Sequence, residues 1–385
     1  MMVNSLSIAD LTAKYGIDVA TALILERYYF DAAIFDFQMN RIQLDGFDRS
    51  KNYLKRPTTV PKNEDLEQMP PRGSDEYAQL SKIGEEAFLN GEVLVVVLAG
   101  GMATRFGGGI KALTPILEGL SFAKVKQLDL EKYAIKHDMT CKLLFMTSFL
   151  SDESMSSWAS SHSNDYVKIA TCPQSISLRL MTDGQIFRED HGDVSFYSPG
   201  HGDLLEVLSR SEDFKQFYET GGKYVLVNNV DNAAATFDPA VLGAHISIGK
   251  QMTCEIVKDD SYGGAPRIVG GRLEIVEDFC LRAIDKIETN PFLNTNTLVI
   301  NAEIFKTPVA LNYFDVQKNV NGIPLVQFEL LIGELSKFVE ATMLLVEAEG
   351  PNSRFEPMKS LSDVEQRRES VLRILEHREI FGVGQ

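Results

Sequence analysis

Residues 93–115, VLVVVLAGGMATRFGGGIKALTP, hold the densest set of residues suited to chemistry. Gly100 and Gly101 carry no Cβ, so their N–H groups can come close to an anion or a base edge, and Arg105 and Lys111 add full positive charges behind them. Phosphate is the guest such a loop suits. The spacing departs from two familiar phosphate loops. Ile110 stands where a Walker loop needs Gly before Lys111, and Gly100-Gly101-Met102 breaks the dinucleotide fingerprint. The same residues would also serve as a tight turn in an α/β core with incidental basic groups.

Four further clusters carry polar groups where a core would not want them. Gln174, in CPQS, offers one acceptor and two donors, enough to pair with a uracil edge. SPGHGD sets His201 between Gly200 and Gly202, a bend whose imidazole can donate to a phosphate or a sugar hydroxyl. NNVDN ends an apolar run with Asp231, a carboxylate flanked by amides, which suits Mg²⁺ with its preference for one or two carboxylates plus substrate phosphate oxygens. RFEPMK brings Lys359 onto a loop before a helix expected to open at Ser362-Asp-Val-Glu365. Each also has a plain reading: a surface Gln, a turn with a solvated His, an Asx turn capping a strand, a surface Lys. Gly264, Glu277 and the NTNT run at 294–297 add small amides and a carboxylate of the kind that sugar hydroxyls need.

In order along the chain, LAGGMATRFGGGIKAL, TSF, CPQS, YSPGHGD, NNVDNAAATFDP, YGG, IVED, LNTNTL and RFEPMKSLSD resemble the motif series of UTP:glucose-1-phosphate uridylyltransferases of the eukaryotic-type UDP-sugar pyrophosphorylase family, over roughly residues 80–370. The resemblance implies a glycosyltransferase-A-like fold and the reversible conversion of UTP and a sugar 1-phosphate to UDP-sugar and pyrophosphate. It implies that Leu98, Ala99, Gly100, Gly101, Gln174 and Gly200 hold the nucleotide, and that Arg105, Lys111 and Lys359 act on the phosphates. It further implies that His201, Gly264, Glu277 and Asn296 hold the sugar phosphate and that Asp231 binds Mg²⁺. Ile110 departs from the Pro usual before the loop lysine. Thr104-Arg105 and the approach EEAFLNGEVLVVVLAGG are similar to N-acetylglucosamine pyrophosphorylases, whereas PGHGD favours glucose 1-phosphate. The alternatives are a UDP-N-acetylglucosamine or broad-specificity pyrophosphorylase, and a catalytically silent UDP-sugar-binding protein. A glycosyltransferase would usually show D-x-D, which NVDN is not. Family members continue into a C-terminal β-helix used in assembly; the chain is expected to lack it and to be a monomer or small homo-oligomer.

These groups need strands to carry them. Residues 93–98 read as a buried strand, with further strands at 142–147, 167–172, 224–229 and 273–277, and helices at 77–90, 121–137, 151–161 and 239–249. The alternation implies an α/β architecture: a mixed, mostly parallel sheet flanked by helices, with ligands at the C-terminal ends of the strands. Residues 1–55 read as helical, with apolar helical spacing running from Ser7 to Arg27, and residues 56–75, holding four prolines, as an extended connection. The expected division is 1–75, an N-terminal helical segment and linker; 76–310, the catalytic core; and 311–385, a closing segment carrying Lys359.

Composition bounds the rest. In 385 residues, 44% hydrophobic, a large core can form. Thirty-eight basic against 54 acidic residues give a net charge of −16, a field that opposes nucleic acid and anionic membranes. Phosphate must then be held locally. Cys141, Cys172, Cys254 and Cys280 form no C-x-x-C pair, which favours free thiols in a reducing compartment over zinc or disulfides. With no membrane-length apolar run and no signal-like start, a cytoplasmic protein is expected.

Overall fold

The run VLVVVL does what its composition demands. In the computed structural model, which describes residues 6–101, 108–307 and 309–380, all six residues of Val93–Leu98 are buried. Val93, Val95 and Val97 face one apolar layer, and Leu94, Val96 and Leu98 the other. A strand buried on both faces must lie in the middle of a sheet covered on both sides.

That sheet has eight strands: β1 (Glu67–Gln68), β2 (Val93–Leu98), β3 (Cys141–Thr147), β4 (Val167–Pro173), β5 (Tyr224–Asn229), β6 (Met252–Lys258), β7 (Phe292–Asn301) and β8 (Ala341–Leu345). Their spatial order is β1-β8-β6-β7-β5-β2-β3-β4, and β7 alone runs antiparallel to its neighbours. The expected mixed, mostly parallel sheet is therefore present. Parallel pairing in register sets Asn229 beside Leu98, so the ends of β2 and β5 are level and the segments that follow emerge side by side.

The expected helices form with boundaries shifted by a residue or two. They are α4 (Asp75–Leu89), α5 (Phe122–Lys136), α6 (Asp152–His162) and α9 (Pro239–Ile248), joined by α7 (Leu204–Arg210) and α8 (Glu212–Glu219). The run from Ser7 to Arg27 is two helices rather than one, α1 (Ile8–Tyr15) and α2 (Val19–Arg27). Gly16 takes the left-handed conformation that ends the first, and the Asp18 carboxylate accepts from Thr21 N–H at 2.6 Å to start the second. With α3 (Ala32–Asp45), these helices pack on Ile176, Leu178, Leu180, Val326 and Phe328. The linker, expected to be neither helix nor strand, contains two short strands and a single 3-10 turn at Asn63–Asp65: Thr58–Thr59 joins the hairpin Gly264–Val269/Arg272–Glu277, and β1 joins the main sheet. The last helix, α10 (Leu361–His377), is capped by Ser360, not by Ser362 as the sequence pattern suggested. Asp363 spends its carboxylate on Lys359 N–H at 2.7 Å, which moves the cap two residues back.

Helices α4 and α9 pack backbone to backbone. A Cβ added to Gly243 would lie 1.9 Å from the Leu80 carbonyl oxygen, and one added to Gly84 would lie 1.9 Å from that of Pro239. Glycine is required by the approach itself. Gly243→Ala is expected to cost about 3 kcal/mol in urea unfolding, the upper range for overpacking a core. A loss below about 0.5 kcal/mol would mean that the two helices separate freely.

Candidate functional site

The level ends of β2 and β5 open into a cleft of about 410 Å³. Leu98, Gly100, Gly101, Lys111, Gln174, Gly200, His201 and Asp231, all singled out in the sequence, line it. Segments separated by more than a hundred residues along the chain are thus brought to one place.

On one wall, Gln174 Nε2 donates to the Gly200 carbonyl at 2.7 Å. Its Oε1 lies against Gly100, where a Cβ would approach to 2.8 Å. Gly200, with φ of 101° and the Leu330 carbonyl 2.8 Å from where a Cβ would sit, leaves room for nothing larger. Ile332 N–H donates to His201 Nδ1 at 3.0 Å, so the ring's proton lies on Nε2, which stays a donor. Burial brings the His201 pKa down to about 4, which keeps the ring neutral near pH 7. Gln174 and His201 direct hydrogen bonds here without charge, while Arg179, in the same lining, contributes a guanidinium.

The opposite wall is charged. Lys111 Nζ lies 2.9 Å from Asp231 Oδ2, both side chains being mostly covered. Asp231 follows β5, and its main chain is pinned from the C-terminal segment: Met358 N–H donates to the Asp231 carbonyl at 2.9 Å. The buried Asn232 side chain accepts from Glu356 N–H at 2.9 Å and donates to the Arg354 carbonyl at 3.0 Å. RFEPMK is thereby tied to NNVDN, although Lys359 itself is exposed and does not line the cleft. Arg354 makes a two-pronged pair with Glu255 of β6, both buried.

Three residues expected with the sugar phosphate do not line the cleft. Asn296, with a left-handed φ of 59° beside a register shift between β6 and β7, donates to Asn229 Oδ1 at 3.1 Å, and Asn229 lines the cleft. Gly264 pairs with Glu277 across their hairpin, and a Cβ on it would meet Glu277 Oε1 at 2.7 Å. Burial pushes the Glu277 pKa up to about 7, with Glu334 and Glu329 adding to the rise. Ala99 is fully buried and receives the Ser151 hydroxyl on its carbonyl, outside the cleft lining. Arg105 lies outside the described residues.

Sequence reasoning gave no role to several lining residues. Arg179 bonds the Ser195 hydroxyl at 2.9 Å and Gln327 Oε1 at 3.3 Å, and Phe149 meets Phe196 edge-on at 5.8 Å. The N-terminal helices back this wall: Tyr28 packs on Phe149, and the Tyr28 carbonyl accepts from Ile176 N–H at 2.9 Å. Two of the quoted motifs hold such residues, TSF with Phe149 and YSPGHGD with Tyr197, and both aromatics line the cleft with Phe196.

The donor set can give a divalent metal one protein carboxylate, that of Asp231, which Lys111 also pairs at 2.9 Å. Asp231 offers a single carboxylate beside the Asn229 amide, and no cluster of three His, Cys, Asp or Glu able to hold a metal occurs among the described residues. Substrate oxygens would complete its shell.

The fold is that of the UDP-sugar pyrophosphorylases. The UDP-N-acetylglucosamine pyrophosphorylase of Trypanosoma brucei superposes with a TM-score of 0.70 at 16% identity, over 94% of this chain and 85% of that one. The UDP-glucose phosphorylase of the same organism gives a TM-score of 0.68 at 20% identity, over 93% and 76%. The family model for UTP–glucose-1-phosphate uridylyltransferase matches residues 45–380, and the chain belongs to that family. A relative named UTP–glucose-1-phosphate uridylyltransferase from Solanum tuberosum is 28% identical over 309 residues, 75% of this chain and 64% of that protein. The chain thus spans under two thirds of the length of that curated relative. No helix among the described residues is long and apolar enough to cross a membrane.

Because the Glu277 pKa is raised from 4.5 to about 7, the folded chain holds this proton more tightly than the unfolded chain does. The resulting stability is full below about pH 4.5 and is lost as pH rises through about 7. Glu277→Gln should therefore gain on the wild type by up to roughly 3 kcal/mol between pH 4.5 and 8 in urea unfolding. A difference that does not change with pH would show that Glu277 is ionised throughout.

Proposed function

We propose that this chain is a nucleotidyltransferase making UDP-glucose and pyrophosphate from UTP and glucose 1-phosphate. One observation carries the reading: a Lys–Asp pair, Lys111 and Asp231, shares a cleft with the neutral donors Gln174 and His201. A ligand with a neutral base at one end and phosphates at the other matches that polarity. The glycosyltransferase-A-like description and the three-part division at residues 75 and 310 belong to the same proposal.

Leu98, Gly100, Gly101, Gln174 and Gly200, which line the cleft, hold the uridine, and Ala99 is buried behind them. His201 Nε2–H, Gly264, Glu277 and Asn296 orient the sugar phosphate. Arg105 and Lys111 hold the triphosphate, and Lys359, next to the Met358–Asp231 bond, reaches the phosphates from the closing segment. Asp231 and the substrate oxygens would hold Mg²⁺, which supplies charge neutralisation on the phosphates when bound. A phosphate oxygen of the sugar 1-phosphate attacks the α-phosphorus in line as pyrophosphate leaves. That nucleophile is already anionic, so positioning and charge stabilisation are what the protein contributes, with no covalent intermediate.

The test is pyrophosphate release from UTP with glucose, galactose or N-acetylglucosamine 1-phosphate. Glucose 1-phosphate is expected to be preferred; no release with any of the three overturns the enzymatic reading. Lys111→Ala, Asp231→Ala and Lys359→Ala should each lower kcat about a hundredfold, the ~3 kcal/mol of one lost contact in a pre-organised site, with unchanged circular dichroism. A variant that keeps near-normal turnover removes its residue from the mechanism.

A further inference from the structure

Beyond β5 the chain runs through residues 231–237 with its carbonyls held from outside by buried cations. Lys126 Nζ, on α5 and 3% exposed, donates to the carbonyls of Asn232 at 2.8 Å and Ala235 at 2.6 Å. Arg378 donates to the Ala234 carbonyl at 2.6 Å, and Arg354 to that of Thr236 at 2.8 Å. Asp129, one helical turn from Lys126, accepts from Phe237 N–H at 2.6 Å.

A lysine is a costly choice for such a position. Burial lowers its pKa to about 7, Asp129 and Asp231 favour its charge, and Arg354 and Arg378 oppose it. A surface position on α5 would avoid that penalty. The geometry offers a reason. The carbonyl of residue 231 is fixed by Met358 N–H and that of residue 232 by Lys126, so the peptide planes on the C-terminal side of Asp231 are held at successive points. The direction in which the Asp231 carboxylate leaves the main chain follows from those planes.

We propose that Lys126 is a positioning residue for Asp231, holding the turn so that its carboxylate meets the metal of an incoming metal–nucleotide complex. This rests on the reading that Asp231 is the metal ligand. Lys126 touches no substrate; it acts through the Asn232 and Ala235 carbonyls. Lysine is suited because one ammonium donates to both carbonyls.

The experiment measures Mn²⁺·UTP binding to the purified chain by the loss of free-Mn²⁺ electron paramagnetic resonance signal, alongside thermal unfolding. Lys126→Met should bind Mn²⁺·UTP at least tenfold more weakly while remaining folded. Its half-saturating Mg²⁺ in pyrophosphate release should rise by a similar factor, with kcat at saturating Mg²⁺ within threefold of the wild type. His245→Leu is the control: it breaks buried bonds to Thr253 and to Asn301, which pairs with Tyr224 at the opposite end of the strands. It should lower the melting temperature and leave Mn²⁺·UTP affinity unchanged. If Lys126→Met does not fold, Lys126→Arg, which keeps donors at the position, carries the test; affinity within threefold of the wild type supports the proposal and a tenfold loss overturns it. Binding by folded Lys126→Met equal to the wild type also overturns it. A wild type that binds no Mn²⁺·UTP instead defeats the assignment of Asp231, a distinct outcome.

Discussion

The structure turns on how the backbone of residues 231–237 is satisfied. These residues leave the sheet and lie buried, so each carbonyl removed from water needs a donor or costs on the order of 1–3 kcal/mol. Met358 N–H serves residue 231, and the side chains of Lys126, Arg354 and Arg378, set among the carboxylates of Asp129, Glu255 and Asp238, serve residues 232 and 234–236. Buried charges so arranged add little net stability over an apolar core, since desolvation consumes most of the attraction. Removing one member is expensive, however, because its partner is left charged and uncompensated. The cluster therefore selects one arrangement of the loop more than it stabilises the fold. It also joins distant parts of the chain, because Arg72 and Tyr77 enter it through Asp238 and Arg378 through the end of α10.

From this fixed loop the rest of the cleft follows by strand register. Parallel pairing levels Leu98 with Asn229, so the glycines after β2 and the carboxylate after β5 must face one another. Antiparallel β7 lies against β5, and its irregular register at Asn296 turns an amide toward Asn229. The far wall is built differently. Gln327 and Phe196 come from small ladders outside the main sheet, and their backing is the apolar packing of the N-terminal helices. One wall is set by sheet geometry and buried ions, the other by hydrophobic burial.

This difference decides what could be read from the sequence. The VLVVVL run, the strand–helix alternation and the polar clusters at strand ends are local patterns, and the structure brings most of them to one cleft. Lys126 was not legible because SFAKVKQLDLEKY carries polar residues on every side, so nothing local marks one lysine as buried. The helix break at Gly16 was hidden by apolar spacing that continues across it. Arg179 and Gln327 were missed because their place in the cleft depends on pairing between strands far apart in the chain. The N-terminal helices showed no chemistry in sequence, and they pack behind Phe149 and residue 176 without lining the cleft.

Charge completes the argument. At −16 the molecule repels polyanions at a distance, and screening confines any local attraction to within about 10 Å. Cations scattered over its surface would be cancelled by the surrounding carboxylates. Lys111 avoids this by sitting in the cleft beside Asp231 and across from Gln174 and neutral His201, with Arg179 as a second cation in the lining. An imidazole held neutral by burial can direct a hydrogen bond without adding charge. The cleft is therefore polar across its width, with amides and imidazole on one side and the Lys–Asp pair on the other. That polarity persists only while the Asp231 loop is held still, which returns the chemistry to the buried cations behind it.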